Sequence, residues 1–190
     1  MKNKCIAIGG IPGTGKSTII KNLLEMHKNI GVVDIEPLTP AKTLDGLKLG
    51  VNHFIVGKYA PYYETDETFP GTDRLSMSVQ PVFLKFARET DMNIVFEGDR
   101  LFTGSCLEEL EEIFGENLKI VILTAEDEVL QERYKKRGSD QPAKFINSRK
   151  TKVTNITSNF SLMDNIEYID TTNISQEEVF QQFMEIVSWN

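Results

Sequence analysis

The chain contains only two cysteines and two histidines in 190 residues. Cys5 lies in a strand-like segment and Cys106 in a helix-like one, so both read as small core residues of a reduced, cytosolic protein. With His27 and His53 they form no metal-ligand spacing. No window approaches the ~20 apolar residues of a membrane-spanning helix, so no membrane partner is expected. The apolar run after Lys2 and Lys4 is too short for a signal peptide. There is no internal repeat, linker or low-complexity tract. An N-K-x-D guanine reader is also missing, which argues against a GTPase switch. The length leaves no room for the second sensor domain of the larger ATPases. A single domain over residues 1–190 is expected, long enough to bury a core without disulfides.

Positive charge is scarce overall. The net charge is −7, which argues against a generally basic nucleic-acid coat. It is concentrated in one window, Arg133 to Lys152, which holds eight Lys/Arg and one acid, Asp140. A solvated charged face is one reading of that window. The other is a phosphate-handling lid, expected between 138 and 160.

What the chain does have is an unbroken G-x-x-x-x-G-K-[ST] pattern, Gly10-Ile11-Pro12-Gly13-Thr14-Gly15-Lys16-Ser17, followed by Thr18. An apolar run, Cys5–Ile8, precedes it and a helix-like stretch, Thr18–His27, follows, which is the context the pattern requires. Glycines let backbone N–H groups turn around a phosphate, and the helix start adds partial positive charge. Lys16 can bridge β- and γ-phosphates, and the Ser17 hydroxyl can ligate Mg²⁺. The expected ligands are ATP and Mg²⁺, with the base preference left open.

Strands are predicted at Cys5–Ile8, Gly31–Ile35, Phe54–Val56, Ile94–Phe96, Lys119–Leu123 and Glu167–Ile169. Helices are predicted around Leu75–Phe86, over Thr103–Phe114, from a Thr124–Asp127 capping box to Gly138, and from a Ser175/Glu178 capping box onward. Pro81 should kink the first of these or mark its start. Asp140–Ser161 has little apolar periodicity and reads as lid or loop. The alternation predicts a parallel sheet covered on both faces, with the phosphate loop at its carboxyl edge.

Several further residues carry possible chemistry. Asp34, at the end of the predicted second strand, could take a proton from an acceptor hydroxyl, or could simply cap a turn. Glu97 ends an apolar strand and could reach Mg²⁺ through water, with Asp99 second and Arg100 facing the acceptor. Arg133 and Arg137, at i and i+4 on one helix face, could neutralise the transferring phosphoryl. Lys144, Arg149, Lys150 and Lys152 could add lid charge but cannot be ranked. Tyr59, Tyr62, Tyr63 and Phe69 could stack on a base or pack under their own loop. Asp73 and Arg74 follow, and Arg74 could hold a phosphate.

Together, Gly10–Ser17, Asp34, Glu97–Arg100 and Arg133/Arg137 resemble the P-loop kinases of nucleosides, nucleotides and polynucleotides. The resemblance implies a three-layer α/β sandwich with a five-stranded parallel sheet in the order 2-3-1-4-5 and a helical, basic lid. It also matches Asp34, by position, to the base of polynucleotide kinases. Gly57-Lys58-Tyr59 and Phe69–Met77 look more narrowly like a bacteriophage group of small P-loop kinases. Some of these resemble the enzymes that phosphorylate 5-hydroxymethyluracil in phage DNA. That implies a hydroxymethyl group on a DNA base as acceptor. A thymidylate-kinase-like deoxynucleoside monophosphate kinase and a non-catalytic nucleotide-gated binding module remain as alternatives.

Overall fold

The computed structural model describes residues 3–30, 35–59, 71–138 and 142–188. Its strands are β1 (Cys5–Gly9), β2 (Ile35–Ala41), β3 (Leu44–Leu49), β4 (His53–Val56), β5 (Asn93–Glu97), β6 (Leu118–Thr124) and β7 (Ile166–Asp170). The helices are α1 (Lys16–Ile30), α2 (Val79–Glu89), α3 (Gly104–Phe114), α4 (Asp127–Lys136), α5 (Ala143–Thr157) and α6 (Gln176–Val187). The strands form one sheet in the order β2-β3-β4-β5-β1-β6-β7.

All five residues of β1 are buried. The strand lies between β5 and β6, parallel to both, with helices over each face, so its sequence has no reason to alternate. Alternate strand residues feed two apolar layers. Cys5, Ala7, Ile94, Phe96, Ile120 and Ile122 join Phe83 of α2, Leu107 of α3 and Ile156 of α5. Ile6, Ile8, Val95 and Val121 join Ile20 and Leu23 of α1 and Phe183 of α6. The result is three layers, with the sheet in the middle.

The sheet departs from the expected one. Among the described residues it has seven strands and is mixed, because β2 and β3 run antiparallel and β3 pairs antiparallel with β4. Ile35 does not end a strand beside the core. It opens β2, an edge strand whose Pro37 and Pro40 are tolerated there because its outer side needs no ladder donors. Ile35 pairs with Leu49, which pairs with His53 at the start of β4. Ile35 therefore stands at the amino edge of the parallel strands, opposite the phosphate loop. Asp34 lies outside the described residues, as do Tyr62, Tyr63 and Phe69.

Helix ends also differ from the prediction in places. The Ser175/Glu178 capping box is present at α6. The expected box at Thr124 is not: Glu126 caps α4, without a side-chain bond, and its N–H donates to Thr172 Oγ1 at 3.0 Å. Pro81 sits in the first turn of α2, where no intrahelical donor is lost. The lid segment is one continuous helix, α5, that anchors on the core through Ile156 and Val153.

Two glycines separate close packing from open space. A Cβ at Gly46 would collide with the Ile55 carbonyl and the Phe54 ring, whereas one at Gly104 meets nothing within 4 Å. Gly46→Ala should destabilise the fold by ~1–3 kcal/mol. Gly104→Ala, at the start of α3, should be neutral or stabilise by ~0.4–1 kcal/mol. Denaturant unfolding of the two variants checks this contrast, and equal midpoints would contradict the packing described.

Candidate active site

The phosphate loop turns from β1 into α1, with Gly10, Gly13 and Gly15 at φ of +135°, +86° and +103°. These are values that side chains with a Cβ rarely adopt. At Gly10 a Cβ would also meet the Leu123 carbonyl at 2.5 Å. Gly15 caps α1, its carbonyl accepting from the N–H groups of Thr18 and Ile19.

Four successive carbonyls of the loop are engaged. Lys16 Nζ donates to Gly10 O at 2.8 Å and to Ile11 O at 3.1 Å. The buried Thr14 hydroxyl donates to Ile11 O at 2.9 Å. Tyr134 OH donates to Pro12 O at 2.7 Å, and Arg133 Nη1 to Gly13 O at 3.1 Å. Because each peptide unit is planar, fixing the Gly10, Pro12 and Gly13 carbonyls fixes the N–H groups of Ile11, Gly13 and Thr14. The loop is thus set in shape before any phosphate arrives, which lowers the ordering cost of binding.

The Arg133 guanidinium braces the loop: besides Gly13 it reaches Thr171 Oγ1 at 3.0 Å and Thr171 O at 2.6 Å, tying α4 to the end of β7. Arg137 is exposed at the end of α4. Both line a cleft of about 130 Å³ on the outer side of the loop, beside Thr18 and the apolar Ile19, Ile174 and Val179.

A second cleft lies on the inner side, lined by Gly10, Lys16, Asp99, Phe102, Arg149 and Lys152 among others. Its chemistry comes from the carboxyl end of β5, which pairs directly with β1. Glu97 there is 6% exposed. Burial raises its carboxyl from 4.5 to about 7, Asp73 and Asp99 push the same way, and Lys16 opposes them. Lys16 is lowered by burial, against the pull of Glu97, Asp99 and Asp73.

The turn Gly71–Arg74 is stitched to this strand end. Thr72 Oγ1 donates to Glu97 O at 2.9 Å, Asp99 N to Asp73 Oδ1 at 2.8 Å, and Arg100 Nη2 to Asp73 O at 2.9 Å. Asp73, Asp99 and Arg100 are therefore neighbours, with Arg74 next to Asp73 in the chain. Tyr59 is not available as a stacking platform. It is fully buried in the core, near enough to Glu97 and Asp73 that both, after burial itself, raise its phenol well above the usual range.

The structure also ranks the lid cations. Arg149 Nε lies 2.5 Å from Asp99 Oδ2, and Lys152 Nζ lies 3.2 Å from Asp99 Oδ1 and 3.1 Å from its carbonyl. Lys150 turns away to Asp127 at 2.6 Å. Arg149 and Lys152 share a helix face at i and i+3, a spacing visible in the sequence only once α5 is known to be helical. Tyr134 and Thr171, which hold the loop and its brace, were not singled out from sequence and carry no motif.

Ser17 in the first turn of α1 and the carboxylates at the end of β5 could supply oxygen donors, the type that suits Mg²⁺. Among the described residues no three His, Cys, Asp or Glu gather as a cage. Mg²⁺ held through phosphates and water needs none.

The model of a family described as an AAA domain matches residues 6–154. The chain belongs to that family. No curated protein sequence matches it. Among solved structures, a gluconokinase from Sinorhizobium meliloti 1021 is similar at a TM-score of 0.55 and 13% identity, over 97% of this chain and 91% of that one. A sugar kinase from Janibacter sp. HTCC2649 is similar at 0.51 and 13%, over 98% and 95%. An uncharacterized protein from Eubacterium ventriosum ATCC 27560 is similar at 0.52 and 13%, over 99% and 100%. The chain shares the fold of these structures. No described helix is long and apolar enough to cross a membrane.

Glu97 gives a stability test with a definite sign. Between 4.5 and about 7 the unfolded chain has lost this proton while the folded one keeps it. Stability is therefore full below the lower value and falls as pH rises through the upper one, by ~3 kcal/mol. Glu97→Gln mimics the protonated form and should remove that slope. The Tm gap between variant and wild type should widen in the variant's favour by ~6–12 °C from about pH 5 to about pH 8. Parallel Tm curves in a thermal-shift assay would show that Glu97 ionises without cost.

Proposed function

We propose that the chain transfers the γ-phosphoryl group of ATP to an alcohol. The observation that carries this reading is the inner cleft, where the phosphate-loop ammonium of Lys16 faces a carboxylate, Asp99, under two lid cations, Arg149 and Lys152. The outer cleft, with its apolar side chains and Arg137, takes the nucleoside. The Ser17 hydroxyl would hold Mg²⁺ directly and Glu97 through water. The ion would neutralise charge on the β- and γ-phosphate oxygens.

The acceptor oxygen bonds to the γ-phosphorus as the bond to the bridging oxygen breaks, and ADP leaves. The hydroxyl proton passes to Asp99, the one carboxylate among the described residues lining this cleft. The base role falls here to Asp99, which lines the cleft, while Asp34 lies outside the described residues. Lys16, Arg149 and Lys152 offset the charge that builds on the transferring group.

For the acceptor, the resemblance of residues 57–59 and 69–77 supports the hydroxymethyl group of 5-hydroxymethyluracil in DNA. The kinase neighbours support a second reading, the hydroxyl of a sugar. Both are alcohols and need the same base.

Radiolabelled γ-phosphate from ATP, offered to hydroxymethylated DNA, free 5-hydroxymethyl-2′-deoxyuridine, sugars and deoxynucleoside monophosphates, tests the proposal. A labelled phosphate ester on an alcohol supports it. Label on a nucleoside monophosphate's phosphate would replace it with a monophosphate kinase. ATP binding without any transfer would leave a nucleotide-gated binding module. On a productive acceptor, Asp99→Asn should lower turnover by ~10²–10⁴. Lys16→Ala should abolish transfer, and a residual rate within tenfold of wild type would remove Lys16 from the mechanism.

A further inference from the structure

β5 ends at Glu97, so Asp99 lies beyond the strand and outside its ladder. Between them stands Gly98, at a φ of +100°. A glycine there leaves the next residue free to swing. The strand therefore does not aim Asp99. The turn Gly71–Arg74 holds the chain on both sides of that glycine. Thr72 Oγ1 donates to Glu97 O before it, and the Asp99 N–H after it donates to Asp73 Oδ1 at 2.8 Å. Arg100 Nη2 closes the clamp on Asp73 O.

The close approach needs Gly98 itself: a Cβ there would meet Thr72 Oγ1 at 2.9 Å and Asp73 Oδ1 at 3.1 Å. The turn is fixed in its own right, with Thr72 and Leu75 buried and Leu75 N donating to Thr72 O at 3.0 Å. The carboxylate of Asp99 meets Arg149 and Lys152, and those are the bonds that phosphoryl charge competes for. A hold on Asp99 that outlasts this competition has to come from outside the lid and act on its main chain. Asp73 supplies it.

We propose that Asp73 is a positioning residue: it does not touch the acceptor, and it fixes the main chain of Asp99 so that the Asp99 carboxylate reaches the acceptor hydroxyl. The inference rests on the kinase reading above, which it deepens by separating the residue that aims the base from the base itself. A carboxylate binds an N–H more strongly than a neutral acceptor does. Misplacing a catalytic group by about 1 Å costs about 10²-fold in rate. Asp73 is exposed, so replacing it opens no core.

Turnover and KM on the acceptor found by the radiolabel screen, ATP affinity, and amide hydrogen exchange at Asp99 by NMR are measured on the full chain. Asp73→Leu should lower kcat by ~10–100-fold, keep the acceptor KM within about threefold and speed exchange at Asp99. Asp73→Asn keeps an oxygen for the Asp99 N–H and should recover most of the lost turnover. Gly98→Ala pushes the turn away from the other side and should repeat both the kcat and the exchange effects of Asp73→Leu. In an Asp99→Asn background, Asp73→Leu should change kcat by less than about threefold, because its effect runs through the base. Undiminished ATP affinity reports that each variant is folded. A raised acceptor KM with kcat kept would make Asp73 an acceptor contact and overturn the proposal. An Asp73→Asn loss as deep as that of Asp99→Asn, a full further loss in the double variant, or unchanged exchange at Asp99 would overturn it too. If exchange at Asp99 responds as stated and the wild type transfers phosphate to no acceptor, Asp73 keeps its hold on Asp99 and the kinase reading falls instead.

Discussion

The phosphate loop is held from behind, and the rest of the site depends on it. Gly10, Ile11, Pro12 and Gly13 each give up a carbonyl to a side chain from the loop itself or from α4. Each bond alone contributes only ~0.5–1.5 kcal/mol. Their joint effect is geometric: they leave the loop one shape. Arg133 extends the brace to Thr171, whose hydroxyl donates in turn to Thr124 O at the end of β6. The loop, α4, β6 and β7 are thereby one mechanical unit, and the outer cleft is its surface.

The inner side is an electrostatic problem that the fold solves by convergence. Glu97 is buried at the end of β5, and after burial itself Asp73 and Asp99 raise the cost of ionising it. Lys16 comes from α1, Arg149 and Lys152 from α5, and Arg100 from the turn after β5. Arg149, Lys152 and Asp99 are about three-quarters and two-thirds buried at their side chains, so these pairs are screened less than surface pairs. In the proposed phosphoryl transfer, a cation that leaves Asp99 stands beside the transferring group. The helix carrying both lid cations is anchored by Ile156 and Val153, so core packing sets where those charges stand.

Much of this was legible in the chain. The phosphate loop is read by an eight-residue pattern whose steric demands are local: left-handed glycines, a lysine and a hydroxyl at a helix start. The strand ending in Glu97-Gly98-Asp99-Arg100 was legible for the same reason, since an apolar run followed by charge marks a strand's exit from the core. The β2–β3 hairpin was not. Its register depends on partners far along the chain, and Pro37 and Pro40 conceal an edge strand that tolerates them. The roles of Arg133, Arg149 and Lys152 were not legible either, because a basic window shows how many cations there are and not which way each faces.

The sequence by itself determined the side chains on offer: a phosphate-loop pattern, a hydroxyl at a helix start, carboxylates at a strand end and a basic window. These follow from residue types at short spacing, where covalent geometry leaves little choice. Tertiary structure alone decided the assignment of parts. It placed Ile35 at the sheet edge away from the phosphate loop, buried Tyr59, turned Arg133 into a brace and brought Arg149 and Lys152 onto Asp99. Those outcomes depend on which distant surfaces pack together, and packing of the whole core fixes them.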